Sequence, residues 1–442
     1  MRRVTPILLI ALLCGLFAAA QTAPAPPPPA PMTGQTKAAV VAKLADILTE
    51  KYVFPDTGKK MADLLRSNLQ AGAYAPLERP EEFAGKLTGD MQSISHDKHL
   101  HVAYNPGSGW LSWSKNTDEE QQRLEKRRSR TDNYGFREVK ILPGNVGYLK
   151  FDYFSGNPEA FPVAVGAMAF VSGADALVFD LRDNGGGDPQ MIQLLTTYLY
   201  EGDPQHLNSF YYREGDRTEQ FWTLPYVPGK RMPGVPVYVL TSERTFSGAE
   251  EFSYNLKNLK RATIVGETTG GGAHPVNREP IDADFWASVP YARAVNPISK
   301  TNWEGTGVEP DVKVPAPQAL DTALALALEK VSVAETDARF KDFYLWNLEA
   351  QQAKVNPVTL PEADLQAFAG VYGPRRITLE GGVLYYQREG RPRGRLLPLT
   401  SDTFALENAP MFRIRFLREG GRVTALEGRY EDGRKDLSPR TE

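Results

Sequence analysis

Hydrophobic spacing divides the chain before any motif is considered. From Thr36 onward, Val40, Val41, Leu44, Ile47 and Leu48 recur at the helical period, and further helical stretches are expected over 58–70 and 80–94. These define a small helical N-terminal domain, 34–102. The connecting segment 103–139 contains a charged stretch, Asp118 to Arg130, expected to be a solvated helix. From about 140 the texture changes to short apolar, β-rich runs: Val146–Tyr153, Ala176–Leu181, Val235–Leu240 and Ala262–Val265. Helical patterns over Gln190–Tyr200 and Ala249–Leu259 separate them, so this part reads as α/β with crossover connections, spanning 140–335. Ala319 to Val331 is its closing helix, and Asn356-Pro357 with Pro361 marks the next boundary. Residues 360–442 hold two hairpins, Ile377–Glu380 to Val383–Gln387 across Gly381-Gly382 and Phe412–Leu417 to Val423–Tyr430 across Gly420-Gly421. A small all-β C-terminal domain is expected there.

The N-terminus follows a different logic. Met1-Arg2-Arg3, an apolar run from Ile7 to Phe17 and then Ala18-Ala19-Ala20 stand in signal-peptide order, which implies export and cleavage near Ala20, into a periplasm or the medium. The apolar run, about 11 residues, falls short of the ~20 that a spanning helix needs, so no stable membrane insertion is expected after cleavage. Residues 21–33 (QTAPAPPPPAPMT) form a Pro/Ala-rich tether. The single cysteine, Cys14, lies inside the apolar run, and the preceding Ala11-Leu12-Leu13 disfavours a lipoprotein. The mature chain therefore has no disulfide and no thiol nucleophile. With 51 Lys plus Arg against 54 Asp plus Glu there is no basic excess for a phosphate backbone, so nucleic acid is excluded as a partner.

Two segments carry chemistry. The run Val237-Tyr238-Val239-Leu240-Thr241-Ser242-Glu243-Arg244-Thr245-Phe246-Ser247-Gly248-Ala249-Glu250 passes from a buried strand through a short loop into a helix, which puts Ser247 at a helix N-terminus. There the free N–H groups and the helix dipole favour a developing oxyanion. Ser247-x-x-Glu250 is equally the spacing of a capping box, a purely structural device. The second segment, Ala176 to Gly187, is a buried strand ending in Asn184-Gly185-Gly186-Gly187, a turn that lets backbone N–H groups approach a ligand. It lacks the Lys-Ser/Thr of a phosphate loop and the spaced glycines of a dinucleotide site. A plain tight turn has the same composition.

Taken in order, Asp180-Leu181-Arg182-x-Asn184-x-Gly186-Gly187, Thr241-Ser242 with Ser247-Gly248-Ala249-Glu250, Val265-Gly266-Glu267-Thr268-Thr269 and Gly307-Val308-Glu309-Pro310-Asp311 resemble the signature of the tail-specific, or C-terminal processing, peptidases. The resemblance is strong over about 140–325 and weak over 34–102. It implies a crotonase-like α/β core, Ser247 as nucleophile, and an oxyanion hole from the Gly186 and Gly248 N–H groups. One branch of the family uses a lysine after Gly-Glu-Thr-Thr, but here that place reads Gly270-Gly271-Gly272-Ala273. The other branch, with the tricorn core and the interphotoreceptor retinoid-binding proteins, uses histidine and glutamate. Its Asp-x-His element matches Asp97-Lys98-His99, and its glutamate, three residues before the end-of-core Gly-Val-x-Pro-Asp element, falls on Glu304. Lys98 stands where some members carry a serine linking histidine to glutamate, a role Ser95 could take. His96 is the competing base, and Glu304 competes with an ordinary surface carboxylate. The stretch between His99 and Val146 is too short for the PDZ domain many relatives insert.

Ser247, His99 and Glu304 supply nucleophile, base and orienting carboxylate, the set that acyl transfer requires. No cofactor is implied. The five histidines (His96, His99, His101, His206, His274) lack zinc-site spacing, so no metal is expected. The reading is an exported serine peptidase acting on a polypeptide or peptide, with its oligomeric state undetermined. A non-catalytic protein binding apolar ligands on the same fold, and a hydrolase of non-peptide esters, are the alternatives.

Overall fold

Strand β4 (Ala176–Asp180) is buried throughout, and its alternate side chains enter two separate cores. Leu177 and Phe179 face one, Ala176 and Val178 the other, as the two-residue period of a strand requires. A strand buried on both faces belongs inside a parallel sheet covered by helices. The computed structural model, which describes residues 32–106 and 119–442, has that arrangement. The sheet runs β12-β8-β7-β4-β3-β2, where β2 is Phe136–Leu142, β3 Val146–Phe151, β7 Val237–Thr241, β8 Thr263–Gly266 and β12 Val312–Lys313. All neighbours are parallel except the edge strand β2.

Helices Ala160–Phe170, Pro189–Thr197 and Gly248–Asn258 cover one face, and Ala319–Ala334 with Ala338–Val355 covers the other. The first of these, AFPVAVGAMAF, is apolar nearly all round, so its sequence shows no helical stripe. Ala338–Val355 begins on an Asp337 cap, whose side chain accepts from the Arg339 N–H.

Three helices precede the sheet: α1 (Gly34–Lys51), α2 (Pro55–Gln70) and α3 (Pro80–Ser95). Thr33 caps α1 through the Thr36 N–H at 3.0 Å. Their apolar faces share one cluster with Ile281, Phe285, Ala287 and Val289 from the hairpin β9 (Val276–Pro280) and β10 (Phe285–Pro290). Strand β1 (His101–Tyr104) pairs antiparallel with β10, so the helical unit is stitched to the core. Residues 1–20, expected to be a signal segment, and most of the Pro/Ala-rich stretch lie outside the described residues, as does part of 103–139; the charged stretch there is helical over Glu119–Thr131. No helix among the described residues is long and apolar enough to cross a membrane.

The C-terminal residues form eight consecutive antiparallel strands, from β13 (Gly370–Tyr372) to β20 (Lys435–Pro439). Both expected hairpins are present, with Glu380 opposite Val383 and Glu419 opposite Arg422. Their Gly-Gly turns have positive φ at both residues, the conformation that suits a two-residue hairpin. A bridge between Tyr372 and Arg440 joins the first strand to the last, so the sheet closes into a barrel. Closure removes exposed sheet edges.

The inner face of helix Gly248–Asn258 buries Glu251, whose carboxyl is pushed up from 4.5 to about 7 by burial. The folded protein therefore keeps a proton that the unfolded chain releases, and stability falls as pH rises from about 4.5 to 7. At ~1.36 kcal/mol per pH unit, Glu251→Gln is expected to be more stable than wild type by up to about 3 kcal/mol at pH 8, with no difference below pH 4.5. Urea unfolding at pH 4.5 and 8 checks this. A gain that is the same at both pH values contradicts it.

Candidate active site

In an open α/β sheet, ligands bind beyond the carboxyl ends of the strands. Here β4, β7 and β8 release three loops at that edge, carrying residues 181–187, 242–247 and 267–275. Thr245 Oγ donates to the Leu181 carbonyl at 2.8 Å and the Phe246 N–H to the Asn184 carbonyl at 3.1 Å, so the first two loops are locked together. Ser247 follows with φ 54°, ψ −120° and opens helix Gly248–Asn258. An ordinary N-cap is extended; a non-glycine residue at positive φ is strained, by about 1–3 kcal/mol. Such a turn between strand and helix pushes a hydroxyl out of the sheet edge.

Glu250 does more than close a capping box. Its buried carboxylate accepts from the Ser247 N–H at 2.8 Å, the Gly271 N–H at 2.6 Å, the Gly272 N–H at 2.9 Å and Thr269 Oγ at 2.5 Å. One side chain thus ties the Ser247 backbone to the third loop. The same burial raises its pKa, against these four donors.

The glycine turn packs directly on this helix start. A Cβ on Gly186, at φ 108°, would lie 2.7 Å from both the Gly248 nitrogen and Ser247 Cβ, so only glycine fits. The Gly186 N–H itself donates to Asn184 Oδ1 at 2.9 Å. It is thereby drawn into the turn, contrary to the expectation that it faces the substrate. The Gly187 nitrogen lies 2.8 Å from where a Cβ on Gly248 would stand, and among the described residues nothing accepts from the Gly187 or Gly248 N–H. These two donors converge beside Ser247.

His99 comes to this place from the N-terminal helical unit. Its ring stacks obliquely on Phe246, with centroids 4.6 Å apart, and its Cε1 lies 2.6 Å from where a Cβ on Gly272 would be. Burial drops its pKa from 6.5 to about 4, so the imidazole is neutral over the physiological range. Its Nδ1 is buried without a partner, and so is Glu304 Oε1. Glu304 Oε2 accepts from the Ala273 N–H at 2.6 Å and lies 3.4 Å from His274 Nδ1. Burial first, then the Asp97 charge, pushes Glu304 up to about 7.

The other histidines separate. His96 is the exposed left-handed residue that ends α3, His101 Nδ1 meets the His99 carbonyl at 3.0 Å, and His206 stacks on Trp222. Sequence reasoning left His274 outside the set Ser247, His99 and Glu304, as no more than a fallback base, and gave Asp97 no contact. Both are buried, and His274 Nδ1 lies 2.6 Å from Asp97 Oδ2. With Glu304 their ligand atoms fall within 4.8 Å of one another, the one such set among the described residues that could hold a cation. Asp97 Oδ2 also accepts from Tyr52 Oη at 3.2 Å, so hydrogen bonds already hold Asp97 and His274, while Glu304 keeps one oxygen free. A cleft of about 580 Å³ opens against it, lined by Tyr52, Phe54, Ile94, Arg293, His274 and Glu304.

A serine on a strained helix start, facing two backbone donors at the carboxyl edge of a parallel sheet, is the apparatus of an acyl-transferring serine hydrolase. Comparison with known proteins narrows the class. Residues 145–314 match the model of peptidase family S41, and residues 34–133 match the N-terminal domain of Peptidase_S41 in eukaryotic IRBP. The chain belongs to peptidase family S41. It is 26% identical over 187 residues to the chloroplastic carboxyl-terminal-processing peptidase 2 of Arabidopsis thaliana, a match covering 39% of this chain and 34% of that protein. It is 32% identical over 133 residues to the carboxyl-terminal-processing protease of Synechocystis, covering 29% of each. With the tricorn protease of Thermoplasma volcanium it shares 29% over 164 residues, 36% of this chain and 15% of that one. The chain thus spans about a third or less of the length of these curated relatives.

Proposed function

We propose that this protein is an exported serine peptidase that hydrolyses peptide bonds through an acyl-enzyme on Ser247. Its architecture is read as three parts: helical domain, crotonase-like core and β domain. The observation that carries the proposal is the strained Ser247 backbone beside the paired Gly187 and Gly248 donors. Ser247 Oγ attacks the scissile carbonyl, His99 takes its proton, and the Gly187 and Gly248 N–H groups hold the oxyanion. His99 then protonates the leaving amine, and water, activated by the same imidazole, releases the acyl group. Gly186 shapes the cradle. The processing-peptidase names of the relatives point to polypeptide substrates. Export rests on the basic, apolar and small-residue order of residues 1–20.

Glu304 takes the orienting role in this reading. Two of the buried atoms left without partners, His99 Nδ1 and Glu304 Oε1, belong to this site, and they are those that must pair to fix the tautomer and leave Nε2 for the serine. Because Glu304 is raised to about 7 and His99 lowered to about 4, kcat/KM should rise with pH through 7 as the carboxylate ionises. Glu304→Gln is expected to lower kcat roughly 10²- to 10⁴-fold with little change in KM. It should also erase the rise near 7, leaving only the fall at low pH due to His99. A folded variant that keeps the wild-type profile removes Glu304 from the site.

A further inference from the structure

We infer that His274 is a positioning residue of this site, joining the loop that carries the base to the loop that carries the orienting carboxylate. The inference rests on the peptidase reading above. His99 enters on residues 95–100 of the helical unit, whereas Glu304 and the nucleophile belong to the core, so something must fix one against the other to a fraction of an ångström. His274 is 5% exposed and sits at that joint. Its Nδ1 donates to Asp97 Oδ2 at 2.6 Å, and Asp97 Oδ1 accepts from the backbone N–H of His99 at 3.1 Å. The pair therefore holds the base by its main chain. The same Nδ1 lies 3.4 Å from Glu304 Oε2. That oxygen's neighbours, His274 and the Ala273 N–H, leave Glu304 Oε1 as the free oxygen for His99.

The rest of the joint is consistent with this role. Lys98 Nζ donates to the Gly270 carbonyl at 2.5 Å, Tyr52 Oη to Asp97 Oδ2, and Trp303 Nε1 to the Gly272 carbonyl at 2.8 Å. Phe54 closes over the His274 ring edge-on at 5.4 Å. Asp97 is fully buried and has three partners, the His99 N–H, Tyr52 Oη and His274 Nδ1; the contact to His274, at 2.6 Å, is the shortest of them and the one that reaches across to the core.

The test is steady-state kinetics on a fluorogenic peptide, with the rate of fluorophosphonate labelling as a substrate-independent readout of the serine. His274→Leu is expected to lower kcat and labelling about a hundredfold with KM within about threefold of wild type, since small misplacements of a base cost that much. His274→Asn, whose amide N–H can replace Nδ1–H toward Asp97, should recover activity to within about tenfold of wild type. Asp97→Asn combined with His274→Leu should be no slower than the worse single variant by more than about threefold, because both break one joint. If His274→Leu does not fold, Asp97→Asn carries the test and should lose at least about tenfold in kcat at constant KM. A folded His274→Leu or Asp97→Asn enzyme with wild-type kcat overturns the inference. So does activity lost to EDTA and restored by zinc, which would make the cluster a metal site. If Ser247→Ala is as active as wild type, the peptidase reading itself fails; if Ser247→Ala is inactive and His274→Leu unaffected, only the positioning role fails.

Discussion

Ser247→Ala is expected to abolish turnover, lowering kcat by roughly 10⁴- to 10⁶-fold, while the protein stays folded. In the proposed mechanism the hydroxyl is the group that forms the acyl bond; Ser242, Thr245 and Thr269 in the same loops donate theirs to the Arg182 carbonyl, the Leu181 carbonyl and Glu250, and the described chain has no cysteine. Alanine keeps the Cβ that already occupies the φ 54°, ψ −120° backbone, so the strain remains and the cost is a cap contribution of about 1 kcal/mol. Tm should move by only about 2–4 °C. Ser247→Gly separates chemistry from strain in the opposite sense. It should be equally inactive yet more stable than the alanine variant by about 1 kcal/mol, because glycine adopts positive φ without penalty. Calorimetry on the two variants, with activity measured on the folded fraction, reads both effects. A turnover rate near wild type in either would reduce Ser247 to a helix cap.

His99→Ala carries the second large effect. Without an imidazole the serine hydroxyl must lose its proton to water, and kcat should fall about 10⁴-fold or more. The pH dependence distinguishes this from simple unfolding. The buried ring is neutral down to about 4, so the wild-type fall attributable to the base lies at that acidic end and not in the usual histidine range. His99→Ala should lack it at whatever residual rate survives, and an added small imidazole should restore part of the activity. A residual profile of wild-type shape would transfer the role of base to another group.

How far these residues were legible depends on the range of the contacts that define them. The strand–loop–helix around Ser247 and the glycine turn after β4 are local, written in apolar runs, in Ser-x-x-Glu spacing and in adjacent glycines. The two Gly-Gly hairpins were legible for the same reason. The His274–Asp97 contact spans 177 residues and has no local signature. Glu250 looked like half of a capping box, yet three of its four donors come from the loop at 269–272, which folds back onto the helix only through the parallel crossover of β8. Gly186 packs on the start of the Ser247 helix, but the direction of its N–H is set by Asn184 Oδ1, a side-chain contact that adjacent glycines do not announce. Barrel closure depends on Tyr372 meeting Arg440, again a matter of tertiary geometry.

The central claim is that Ser247 is an activated nucleophile, and covalent labelling addresses it without knowledge of the substrate. The protein is treated with a fluorophosphonate at neutral pH, digested and analysed by mass spectrometry. A single adduct on the peptide containing Ser247, lost in Ser247→Ala and slowed in His99→Ala, is the predicted result. An unlabelled folded protein, or an adduct on a different serine, contradicts it and favours a ligand-binding role for the same fold.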